Sequence, residues 1–99
     1  MLDAAMRRAT VRIPDTVVFR ALAAETVLLD LRTGLYHHLD PRAGELFAFL
    51  AQVGSPALAA RRFAAANGAA VAALEAELCE LCRTLGDRGL LDVRLASPV

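Results

Sequence analysis

The sequence predicts an α+β fold: a three-stranded antiparallel sheet followed by three helices, resembling a winged helix-turn-helix. Three observations carry this. β-Branched and aromatic residues gather between residues 16 and 39 in short runs separated by turn signals. Asp40-Pro41 and Ser55-Pro56 each pair a capping side chain with a proline suited to the first helical position. From Val71 onward, leucines recur at alternating spacings of three and four. With 99 residues the chain has room for a single core.

The elements follow in order. Residues 1–10 lack periodicity and read as a flexible arm; residues 11–93 read as the domain and 94–99 as a frayed tail. Thr16-Val17-Val18-Phe19-Arg20 is the first strand and Thr26 to Leu31 the second, joined through Ala23-Ala24-Glu25. Arg32-Thr33-Gly34 reads as a three-residue hairpin loop whose glycine takes the left-handed position. Leu35-Tyr36-His37-His38-Leu39 is the third strand. The first helix presents Ala43, Leu46, Phe47 and Leu50 and closes at Gly54; the second presents Leu58, Ala59, Phe63 and Ala66 and closes at Asn67-Gly68. The third is the most amphipathic, with Val71, Leu74, Leu78, Leu81 and Leu85 on one face and Gly86 or Gly89 at its end. Leu90 to Val93 adds a short extended piece. The expected core is Leu29, Leu39, Leu46, Phe47, Leu50, Phe63, Leu74, Leu78, Leu81 and Leu85.

Charge and inventory exclude several functions. The 11 basic residues, all arginine, balance 11 acidic ones, which argues against bulk attachment to nucleic acid or anionic membrane. No apolar run approaches the ~20 residues of a membrane span, and residues 1–10 do not read as a signal peptide. The expected location is the cytoplasm. There is no glycine-rich phosphate loop, and Ser55 and Ser97 are the only serines, one a cap and the other in the tail. Catalysis by this chain is not expected.

Two motifs invite metal chemistry and are better read otherwise. His37 and His38 are adjacent on a strand and point to opposite faces, so they cannot readily share an ion. Cys79-Glu80-Leu81-Cys82 lies in mid-helix, away from the helix N-terminus that would lower a thiol pKa, and lacks a second ligand pair. Both cysteines read as small, half-buried apolar residues. No metal and no cofactor is expected.

Val27-Leu28-Leu29-Asp30-Leu31-Arg32-Thr33-Gly34-Leu35-Tyr36, running into Leu39-Asp40-Pro41, resembles the hairpin-to-helix signature of the PqqD-like family. Phe47 with Leu50, and Leu78, Leu81 and Leu85 followed by Gly89-Leu90-Leu91, are similar to its first helix and its C-terminal ending. The likeness spans residues ~16–92. It implies a non-catalytic recognition element that binds the leader of a ribosomally made, modified peptide. Of the free-standing members, those of lasso-peptide clusters are the most similar, and they work beside a separate leader protease. His37-His38 stands where the family more usually has an aromatic-plus-small pair.

That mechanism suits these residues. A third strand at the sheet edge exposes unpaired amides and carbonyls that can template an incoming strand, and flanking pockets supply specificity. The expected peptide contacts are Leu35, Tyr36, His37 and His38 on the strand. On the third helix they are Leu78 at the groove floor and Glu75, Cys79, Cys82 and Arg83 at its rim. The expected partners are a precursor leader and a leader protease or other modifying enzyme, and the same edge is open to a second copy of the chain. The alternative is a DNA-binding winged-helix regulator. Glu75, Glu77 and Glu80 on the helix that would enter the groove count against it.

Overall fold

The computed structural model describes residues 2–95. Nine elements follow one another: α1 (Leu2–Arg7), β1 (Thr10–Arg12), β2 (Val17–Ala21), β3 (Thr26–Asp30), β4 (Leu35–Leu39), α2 (Pro41–Val53), α3 (Pro56–Asn67), α4 (Val71–Asp87) and β5 (Asp92–Arg94). The expected meander and its three helices are β2-β3-β4 and α2-α3-α4. Three elements surround that unit. The segment expected as an arm, residues 1–10, contains the helix α1 and the first residue of β1, a strand that pairs antiparallel with β5 through Val11↔Val93. Arg94, expected in the tail, belongs to β5, while residues 96–99 lie outside the described part.

The sheet has the order β2-β3-β4, so β4 has one strand neighbour and an open edge. Its register sets the faces. Phe19, Leu28 and His37 lie opposite one another, as do Val18, Leu29 and Tyr36. Leu28 is fully buried and the Phe19 ring meets Phe47 of α2 edge-on at 5.1 Å, so the first row faces the helices. The expected core is therefore corrected by one position in β3: Leu28 is inside, and Leu29 is only half-buried on the outer face. A one-residue step in a strand exchanges the faces. Leu81 is likewise half-buried rather than internal, while the other eight expected core residues are buried.

Buried Asp30 ends β3 on the inner face. It accepts from the Arg32 backbone amide at 2.9 Å and from the Arg32 guanidinium, whose Nη2 is 3.2 Å from Oδ2. The loop is one residue longer than expected, because β3 stops at Asp30 and Leu31 joins the turn. Gly34 closes it at φ 74°, a conformation unfavourable for a side chain, and donates to the Asp30 carbonyl at 2.7 Å.

Helix α2 starts as the sequence requires: the Asp40 carboxylate accepts from the Ala43 amide at 2.8 Å and Pro41 opens the first turn. Gly44 lies inside this helix at a site where alanine would ordinarily be preferred by ~1 kcal/mol. A Cβ there would come 2.5 Å from the Thr26 hydroxyl oxygen. Its absence lets α2 close on the β3 residue paired with Leu39, which fixes the start of α2 against the end of β4. Ser55 caps α3 in the same way. The buried face of α4 is Leu74, Leu78, Cys79, Cys82 and Leu85.

Candidate functional site

The open edge of β4 carries Leu35 and Tyr36, which are 58% and 64% exposed, then half-buried His37 and exposed His38. In an edge strand, alternate residues direct their amides and carbonyls away from the sheet. Side chains alternate independently of that: Leu35 and His37 face the helices, and Tyr36 and His38 face outward. Of the expected strand contacts, Tyr36 therefore lies on the face away from the helices, and His37 takes an inward position. The His38 ring lies 3.2 Å from the Glu25 carboxylate on that outer side.

The residues expected on α4 do not form one groove with this edge. Leu78 and Cys82 are fully buried and Cys79 nearly so. Burial, with Cys79 alongside, pushes the Cys82 thiol up to about 12, so it stays protonated and apolar. Cys82, with no exposure, does not form a groove rim. Glu75, Cys79 and Arg83 instead line a cleft of about 420 Å³ together with Arg7, on the flank of α4 that α1 covers. There the Arg7 guanidinium lies 3.8 Å from Glu75.

The opposite flank of α4 was missed. Between it and the start of α2 runs an open, mainly apolar groove of about 530 Å³ with Ala43, Leu46, Ala76 and Leu81 on its floor. Asp40, the residue after β4, stands at its mouth, so the groove continues from the strand's C-terminal end. Arg42 crosses from α2 to α4: Nε and Nη2 donate to the two Glu77 carboxylate oxygens at 3.1 and 2.8 Å. The guanidinium also lies over the Phe63 ring at 5.1 Å. The hydrogen bonds from Arg42 hold the Glu77 carboxyl below its ordinary range and raise Arg42 in turn. The available signal was the position of Glu77, Glu80 and Thr84 one step around the helix from the leucine stripe; without α1, nothing distinguished that step from the other.

Residues 25–91 match the family of coenzyme PQQ synthesis protein D (PqqD). The chain belongs to the PqqD family. The matched residues begin just before β3 and end just after α4, so the family's unit contains the open strand and both walls of the α2–α4 groove. Two solved structures share the fold. One, described as TbiB1 in complex with the TbiA(beta) leader peptide, is 28% identical, with a TM-score of 0.72 over 82% of this chain and 94% of its own. The other, described as lasso peptide synthetase B1 complexed with the leader peptide, is 24% identical, with a TM-score of 0.71 over 84% and 98%. No curated protein matches the chain. Among the described residues no group of three or more His, Cys, Asp or Glu could hold a metal ion. No single helix there is long and apolar enough to cross a membrane.

Proposed function

We propose that this PqqD-family chain binds the leader region of a ribosomally made precursor peptide, of lasso type, and presents it to a leader protease or other modifying enzyme without catalysis of its own. The observation that carries the reading is the open edge of β4 in a chain whose 28%-identical structural relative is described in complex with a leader peptide. An extended leader paired with β4 gains backbone hydrogen bonds whatever its sequence, and alternate side chains then read flanking pockets. Leu35 and His37 meet those turned toward the helices; Tyr36 and His38 meet those turned outward. Ordering a flexible leader opposes binding, so the expected affinity is moderate for the length of contact. The β4 edge can also pair with a second copy, which an added leader would displace. Cytoplasmic action beside the modifying enzyme is the corresponding setting.

A backbone-amide NMR titration with the synthetic leader of a precursor encoded beside this gene tests the reading. Shifts should cluster on residues 34–39 and on the α2–α4 groove. Shifts confined to residues 56–66 would exclude strand addition at β4.

A further inference from the structure

Resting on leader addition at β4, we infer that the α2–α4 groove holds the peptide residues that run past Leu39, and that its acidic rim selects an apolar side chain flanked by lysine or arginine. Continuity comes first. Asp40 is both the residue after β4 and part of the groove wall, and Gly44 holds α2 tightly against the β3 residue opposite Leu39. A strand laid along β4 and extended by a residue or two therefore arrives over the groove. The floor of Ala43, Leu46, Ala76 and Leu81 accepts an apolar side chain.

The rim decides what stands beside it. Asp40, Glu77 and Glu80 border the groove against one bordering cation, Arg42. That cation is committed: its guanidinium spans both Glu77 oxygens, lies over Phe63, and feels Glu45 as well. Glu80 also receives a hydrogen bond from Arg83. Its side chain remains 69% exposed, open to a further partner. The positive end of α2 offers no counter-attraction for an anion, because the Asp40 carboxylate already sits on it. The local field thus favours a cationic peptide side chain and repels an acidic one.

Selection from a display library of random 15-residue peptides on the full 99-residue protein tests this. Binders are then titrated by NMR and by anisotropy at two salt concentrations. Peptides that shift the β4 amides should be enriched in Lys or Arg next to an apolar residue on one side of the strand-paired core. Glu80→Lys should weaken the best of them about tenfold and turn the enrichment toward Asp and Glu. Glu75→Gln, on the α1-covered flank, should leave affinity within twofold. If Glu80→Lys folds poorly, Glu80→Gln should still weaken binding about threefold and reduce its salt dependence. Binders that shift β4 but lack the enrichment, or ignore both Glu80 variants, overturn the groove assignment and leave strand addition standing. Recovery of no binder, or only of binders that leave β4 unshifted, overturns the reading beneath it.

Discussion

The two flanks of α4 carry similar chemistry and have different neighbours. On one, Glu75, Cys79 and Arg83 face a cleft that α1 borders with Arg7. On the other, Glu77, Leu81 and Thr84 face a groove that opens toward the end of β4. Ala76 and Glu80 lie on the ridge between them and border both. Both flanks offer alanines and carboxylates at helical spacing, so helix periodicity alone does not rank them. The neighbours do. A helix face becomes a binding surface when another element supplies the opposite wall and opens onto the strand edge; α2 does this through Asp40, whereas the cleft beside α1 has no lining residue from β4 or its end.

The comparison can be broken most severely on the buried face of α4 behind both flanks. Cys82→Asp places a carboxylate where the side chain has no exposure. The expected cost is ~3–5 kcal/mol, a large part of the stability of a domain this size. Urea unfolding followed by circular dichroism measures it. A folded variant defective only in peptide binding would instead mean that Cys82 faces a groove.

A bulky ring sharpens the contrast between the flanks themselves. Thr84→Trp should fill the α2–α4 groove and weaken leader binding by about tenfold, or ~1.4 kcal/mol. Ala72→Trp, placed in the α1-covered cleft, should leave leader binding within twofold. Paired calorimetric titrations with one leader peptide compare the two. Equal losses would show that both flanks touch the peptide.

The smallest expected effect is the acid response of the Arg42–Glu77 bridge. The Glu77 carboxyl is held below its ordinary 4.5, so the bridge contributes stability above that value and loses it as pH falls through the lowered one. Asp30, lowered from 3.8 chiefly by its hydrogen bonds from Arg32, acts with the same sign. The urea midpoint should decline below pH 4.5. Glu77→Gln, which has no proton to gain, should show a shallower decline; an unchanged slope would assign the acid response elsewhere.

Much of the architecture was legible because it is encoded locally. Asp40-Pro41 and Ser55-Pro56 placed two helix starts, Gly34 placed a hairpin, and the leucine spacing of α4 named most of its buried face. The β4 edge was legible too, since a meander leaves its last strand at one side. What escaped notice depends on distant partners. Six residues have too little helix propensity to order alone, and α1 is held by packing on α4. Strand β1 has three residues whose partner lies at the other end of the domain. In β3, three consecutive apolar residues offer no alternation, and the inward row carries Thr26 and Asp30, against the usual polarity. Only the Arg32 contact and the close approach of Gly44 explain that inversion.

The pairing of β1 with β5 also has a consequence for the order of events during synthesis. Val11 leaves the ribosome about eighty residues before its partner Val93. At the usual ~5–20 residues per second, the first strand waits several seconds without a ladder. The meander and the two capped helices have all their local partners by then, whereas the ribbon must close the longest loop in the domain. Its zipping is therefore a late step, and a nascent chain truncated before residue 92 would keep the open edge of β4 while lacking the clasp between β1 and β5.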